Sequence, residues 1–450
     1  MHRTKEPIRR EDMTTVLTEK TVPTDDKAIF ERRESAARSY SRSFPIVFEK
    51  ARGAILTAND GRDYIDFLAG CSSLNYGHND PDMKAALIDH IAGDGIAHGL
   101  DMHTSAKAAF LETFERLILK PRGMDHRMMF MGPTGANAVE AALKLARKAT
   151  GRTNVIAFTN GFHGVTLGAL AATGNLYHRG GAGVPLTGVT RMPFEGAMGD
   201  DVDTADLLDR MLAEPSGGIE PPAAIILETV QGEGGLNAAS PEWVRRISEI
   251  ARDNGALLII DDIQAGIGRT GPFFSFEEMG IEPDIVTMAK SLSGLGLPFA
   301  TLLVKPEHDV FGPAEHNGTF RGNNHAFVTA RAALEKFWAN SRFQETIGER
   351  ASYLTSRLMR IAEILPSARL KGRGMMLGID VGSGALAAEI CARCFEEGLI
   401  IETSGARDEV VKVLAPLTID AGTFARGLDI LEQAVTEIAQ SSRVAAALNT

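Results

Sequence analysis

Six short apolar runs recur between about residues 125 and 305, and they constrain this chain more than any other feature. They are Met128–Met131, Val155–Phe158, Ala223–Leu227, Ala256–Ile260, Ile285–Met288 and Ala300–Val304. Polar turns follow them, and amphipathic helical stretches such as Asn137–Lys148 and Pro241–Asp253 lie between some of them. Short runs without polar alternation suit strands buried on both faces. Alternating with helices, they predict a mostly parallel sheet in an α/β domain. Ligands of such sheets bind beyond the carboxyl ends of the strands, so that is where chemistry is sought.

The flanks read differently. Residues 1–30 are polar without sustained periodicity and are read as a flexible arm. Ala54–Thr57 and Tyr64–Leu68 are short strand-like runs separated by Asn59-Asp-Gly61, a strong hairpin turn. Asn79 or Asp80 then suits a helix cap, with Pro81 at the first helical position. After Arg331 a long helical stretch is expected toward Ile364. Strand-like Met375–Val381 and Val410–Leu414 follow, with a helix carrying Cys391 and Cys394 between them. This predicts a small α+β domain from residues 31–80 and 331–450 beside a large α/β domain over 81–330.

Composition excludes several classes of partner. A formal charge of −11 with no long basic block argues against nucleic acid and against an anionic membrane surface. No apolar run is long enough to span a bilayer. The N-terminal stretch has no apolar core of a signal or transit type, so the expected address is the cytoplasm. The 3 cysteines cannot all pair, which suits a reducing compartment. Cys391 and Cys394 share one apolar helix face and are read as core thiols, and no metal-ligand set is read anywhere.

The strand ends carry the chemistry. The run Ile285–Met288 delivers Lys290 into Ser291-Leu-Ser-Gly-Leu-Gly296. A stem snorkelling to the surface explains such a lysine, and so does a desolvated amine that bonds an aldehyde cofactor. Asp261 directly follows Ile260, where a carboxylate needs a cation beside it, and a protonated pyridine nitrogen would serve. Gly132-Pro-Thr-Gly135-Ala136 joins a strand to a helix and offers free amides to an anion. Asn160–Gly164 puts the Phe162 ring at the strand end, where a buried core phenylalanine is the simpler reading, and His163 suits a hydrogen-bonded structural histidine. Glu228 and Glu233 flank a glycine-rich turn whose simplest reading is a solvated loop end. A lysine, a carboxylate, a phosphate-type turn and an aromatic residue at neighbouring strand ends are together what pyridoxal 5'-phosphate requires.

With those residues in view, the chain resembles the class III (ω-amino acid) aminotransferases. The resemblance rests on Asp261-Asp-Ile-Gln-Ala-Gly-Ile-Gly-Arg-Thr-Gly271 with Lys290 after it, on Gly132–Arg147, Asn160–Gly164, Glu228–Gly235 and Asn317–Arg321. It implies a fold-type-I transferase that uses pyridoxal 5'-phosphate. Lys290 would bond the cofactor and shuttle a proton, Asp261 would pair with the ring nitrogen, and Gln264 would approach the ring hydroxyl. Phe162 would stack on the ring, and Gly135 and Ala136 would hold the phosphate. Thr319 would reach the phosphate from a neighbouring subunit, implying a homodimer or higher homo-oligomer. Glu228 and Glu233 would lie near cofactor and substrate, Glu233 as a gate for a substrate carboxylate.

A narrower similarity, to the subgroup that makes L-2,4-diaminobutyrate for ectoine, rests on Arg38–Pro45, His98–Asp101, Leu119–Gly123, Ser291–Gly294 and Gly398–Gly405. It implies transfer from L-glutamate to L-aspartate 4-semialdehyde, so the partners are amino-acid and oxo-acid substrates. The alternatives are another ω-aminotransferase, diaminobutyrate supply for a siderophore, or a non-catalytic protein that binds a phosphate compound. Two positions depart from many relatives: Val165 stands where Arg is common, and Lys412 stands where Arg pairs with the gating glutamate. Lysine lacks the bidentate fork of arginine, which leaves Arg42 and Lys412 as candidate carboxylate anchors.

Overall fold

The computed structural model describes residues 27–448. A seven-stranded sheet forms its centre, from strands β1 (Arg127–Phe130), β2 (Asn154–Phe158), β3 (Val189–Met192), β4 (Pro222–Leu227), β5 (Leu257–Asp261), β6 (Ile285–Met288) and β7 (Thr301–Val304). Their spatial order is β1-β7-β6-β5-β4-β2-β3, and only β7 runs antiparallel to its neighbours. The apolar runs form these strands because alternate residues enter different layers. Val155, Ile226 and Ile259 pack with Val139, Leu143 and Leu145 of helix Gly135–Thr150. Ile156, Ile225 and Ile260 face the other way, toward Val244, Ile247 and Ile250 of helix Pro241–Asp253. Burial on both faces leaves no room for polar alternation.

The chain's two ends meet in one further sheet. Phe48–Arg52, Ile55–Ala58 and Asp63–Asp66 form an antiparallel meander, and Leu399–Ile400 adds in parallel to its far side. Gly61 takes φ +85° in the hairpin turn. Asp80 caps helix Pro81–Ala92, accepting from the amides of Asp82 and Met83, with proline first. A separate antiparallel sheet joins Arg369–Arg373, Met376–Asp380, Val410–Val413 and Glu402–Ser404.

Several elements differ from the sequence reading. The long helix after Arg331 is two helices, Asn324–Phe337 and Arg342–Ala362. The break is local chemistry: Asn340 Oδ1 accepts from the Arg342 amide at 3.0 Å, and Trp338 Nε1 turns to donate to Tyr76 Oη at 2.8 Å. Lys27–Arg33, at the edge of the expected arm, is a helix with no buried residue, and the rest of that arm lies outside the described residues. Cys394 is buried in helix Gly384–Glu396, Cys391 is half-buried, and all 3 cysteines are free. No described helix is long and apolar enough to cross a membrane.

Candidate active site

The parallel strands point their carboxyl ends into one cleft of about 510 Å³. β6 delivers Lys290, which lines the cleft in the left-handed region at φ +51°. A lysine there costs roughly 1–3 kcal/mol, strain that persists only where surrounding contacts impose it. Ser291 supplies one such contact, donating to the Ser72 carbonyl at 2.6 Å and accepting from the Asn75 amide at 2.9 Å. The lysine stem therefore does not run to the protein exterior.

β5 ends at Asp261, which is 3% exposed and lines the same cleft. Its Oδ2 lies 2.7 Å from His163 Nδ1, and its Oδ1 accepts from Thr287 Oγ1 at 3.0 Å. Burial pulls the His163 imidazole down, but the Asp261 hydrogen bond and charge outweigh it and raise the net pKa. His163 is thus the imidazole beside this carboxylate, and the pairing favours its charged form. Phe162 is half-buried, lines the cleft and lies outside the core clusters, which decides against a core role for its ring.

β4 ends at Glu228, whose carboxylate accepts from the Phe162 amide at 2.9 Å and the Gly232 amide at 3.3 Å. Its carboxyl is pushed up to about 7 by burial, with His163 opposing and Asp261 adding. Glu228 is 7% exposed, so the solvated loop end expected here is replaced by a buried acid. At the amino end of helix Gly135–Thr150, Thr134 Oγ1 accepts from the Asn137 amide at 3.4 Å. The amides of Gly135 and Ala136 belong to the first turn, which has no internal acceptors, and both residues line the cleft.

Glu233 and Gln264 form the far wall. Gln264 Nε2 donates to Glu233 Oε1 at 3.0 Å and to the Cys71 carbonyl at 3.3 Å. Behind Glu233 lies Lys412, 0% exposed, with its ammonium 3.0 Å from Glu233 Oε1 and 2.9 Å from Glu402 Oε1. Desolvation alone would raise Glu233, but Lys412, then Lys290, and the Gln264 hydrogen bond hold it down at about 2. Lys412 is raised, its burial outweighed by Glu233 and Glu402.

Three candidates do not line the cleft. Lys412 is screened from it by Glu233, and Arg42 is exposed in the turn Tyr40–Ser43, donating to the Ala36 carbonyl at 2.9 Å. Thr319 is exposed, in the segment before Asn323. Sequence reasoning gave no role to Glu402, nor to the turn Ala69–Ser72. In that turn Ala69, Gly70, Cys71 and Ser72 all take positive φ, from 45° to 69°, and present the Cys71 carbonyl to Gln264. The only signal for Glu402 was its place in Gly398–Gly405.

The class III aminotransferase family model matches residues 36–435. The chain belongs to the class III aminotransferases. This aminotransferase is 57% identical over 413 residues to the diaminobutyrate–2-oxoglutarate transaminase of Vibrio parahaemolyticus serotype O3:K6, covering 91% of this chain and 98% of that one. It is 56% identical over 409 residues to the transaminase of the same name from Halomonas elongata, covering 90% and 97%. Among solved structures, the ornithine aminotransferase of Toxoplasma gondii superposes with a TM-score of 0.81 at 26% identity, covering 96% of this chain and 98% of that one.

The cofactor of this class is pyridoxal 5'-phosphate, and the site's own atoms fit it. Gln264 Oε1 is a buried acceptor with no partner among the described residues, on a residue that lines the cleft. A Cβ on Gly135 would stand 3.0 Å from Ile263 Cδ1, so glycine suits this close-packed first turn, whose free amides line the cleft. The Asp261 carboxylate, held by His163 and Thr287, suits a protonated ring nitrogen, and Lys290 suits the carbonyl end.

Proposed function

We propose that this aminotransferase moves the amino group of L-glutamate to L-aspartate 4-semialdehyde, giving 2-oxoglutarate and L-2,4-diaminobutyrate. The observation that carries the reading is identity of 57% and 56%, over nine-tenths of the chain, to two enzymes named for that transfer. On this reading the enzyme acts in the cytoplasm as a homodimer and catalyses the first step of ectoine biosynthesis. A large domain over 81–330 holds the site, and residues 31–80 with 331–450 form a smaller α+β domain beside it.

Pyridoxal phosphate, when bound, supplies an electrophilic carbonyl and a ring that accepts electrons from the substrate carbon. The chain's residues do the rest. Gly135 and Ala136 would hold the phosphate with first-turn amides, joined by Thr319 of a second copy. Asp261, hydrogen-bonded to His163 and Thr287 behind it, would hold a proton on the ring nitrogen. Phe162 would lie against one ring face, Gln264 Oε1 would accept from the ring hydroxyl, and Glu228 would fix the Phe162 segment through its amide. Lys290 Nζ takes the proton from the carbon that bears the departing amino group, and returns one in the reverse direction.

The two substrates present different ends to one cleft. Glutamate reacts at an α-amino group beside a carboxylate, whereas diaminobutyrate reacts at a terminal amine with no carboxylate adjacent. Glu233 lies where that adjacent carboxylate would fall and therefore must give way in one half-reaction only. Lys412, behind Glu233, is the cation that a carboxylate displacing Glu233 would meet, whereas Arg42 lies outside the cleft. Purified enzyme should form diaminobutyrate from aspartate semialdehyde and glutamate at a kcat/KM at least about tenfold above that for glutamate-dependent conversions yielding ornithine or 4-aminobutyrate. Preference for either of those products would overturn the substrate assignment while leaving the family intact.

A further inference from the structure

Lys412 is held by two carboxylates, and they are held in different ways. Glu402 stands directly opposite Lys412 in the antiparallel pairing of Glu402–Ser404 with Val410–Val413. Sheet register fixes that pair, because opposed residues on neighbouring strands keep their side chains together. The Glu402 side chain is 11% exposed and does not reach the cleft. Glu233 instead sits in the turn between Val230–Gln231 and Asn237–Ala238, with Gly232, Gly234 and Gly235 around it. Its side chain is 32% exposed and lines the cleft.

The reading under Proposed function, on which this inference rests, requires Glu233 to leave Lys412 for one substrate and stay for the other. A fully buried ammonium with no counter-ion is strongly destabilising, so a lone Glu233 could depart only at great cost. With Glu402 in place, departure leaves one ammonium against one carboxylate. We propose that Glu402 is the fixed counter-ion of Lys412 and Glu233 the exchangeable one, so that glutamate's α-carboxylate reaches Lys412 by displacing Glu233 while the ammonium stays paired. Glu402 touches neither substrate nor cofactor and is a positioning residue. It also gives a lysine a purpose here: a compact ammonium accepts one carboxylate on each side, with no need of a planar fork.

The test is single-turnover absorbance of the loaded enzyme, run separately with glutamate and with diaminobutyrate, on wild type, Glu402→Gln, Glu233→Gln and the double variant. Glu402→Gln should lower the second-order rate constant with glutamate about tenfold or more. It should leave the rate with diaminobutyrate within about twofold of wild type, since Glu233 stays in place for that substrate. In the Glu233→Gln background the same change should cost glutamate far less, because no charged group has to depart. Equal losses with both substrates, or the same loss in both backgrounds, would overturn the proposal and mark Glu402 as purely structural. Titrating glutarate, an unreactive dicarboxylate, into the same proteins by stopped-flow fluorescence gives a readout apart from turnover, and its association should slow in Glu402→Gln alone. Should wild type react with glutamate but not with diaminobutyrate, the substrate assignment fails separately, and the comparison is read on whichever terminal amine wild type accepts.

Discussion

Glu228 is a buried acid whose environment was invisible in the sequence, and it gives this site a pH signature. Its carboxyl rises from an ordinary value near 4.5 to about 7 in the folded protein. Between those values the folded state binds more protons than the unfolded one, so stability falls as pH rises. The penalty is absent below the lower value and complete above the upper one. Glu228→Gln keeps the acceptor for the Phe162 amide and cannot ionise. Its melting temperature relative to wild type, measured on cofactor-free protein, should therefore increase from pH 4.5 to pH 7.5. A constant difference across that range would mean that folding leaves the Glu228 pKa where it is in the unfolded chain. Lys290 and Asp261 were legible because their neighbours in sequence are strands. Glu402 was not, because its partner Lys412 meets it only through the pairing of two strands with a loop between them.

The elements explain why the site sits where it does. Six of the seven central strands send their carboxyl ends to one side, and for five of them, β1, β2, β4, β5 and β6, the sequence showed an unbroken apolar run. β3 escaped notice because Val189-Thr-Arg-Met192 is a short edge strand with polar members. Arg369–Arg373 escaped because it is mostly charged and half-buried at the border of its sheet. The Gly135 turn was legible as an anion site but not as a steric one. Gly135→Val should push against Ile263 and crowd the first-turn amides, since even a Cβ there stands 3.0 Å from Ile263 Cδ1. Titration of pyridoxal phosphate into the cofactor-free variant should show affinity at least about tenfold weaker than wild type. The fold should survive, because helix Gly135–Thr150 keeps its Thr134 cap and buried face. Unchanged affinity would remove this helix end from the phosphate site.

At the scale of the whole molecule, a cluster of exposed apolar residues bears on the proposed second copy. Ile96, Leu100 and Met102 are exposed on one segment, and Phe320, 66% exposed, lies on another. A bridge between His98 and Asn323 joins these segments, and the His98 ring packs edge-on against Phe320 at 5.2 Å. Thr319 adjoins this patch and is itself exposed. If this face meets a second copy and Thr319 completes the partner's phosphate site, each active site takes residues from both chains. Lys290→Ala should abolish turnover by removing the proton carrier, and Thr319→Glu should weaken cofactor binding severely by setting a carboxylate against the phosphate. Homodimers of either variant would then be nearly inactive. Mixed dimers are different: the site built on the Thr319→Glu chain has its own Lys290 and receives an intact Thr319 from the Lys290→Ala chain. Unfolding the two variants together and refolding them with cofactor should restore activity that neither shows alone, approaching about a quarter of wild type for random pairing. Mixed refolding with no gain, while sedimentation shows dimers, would place Thr319 outside the neighbouring site.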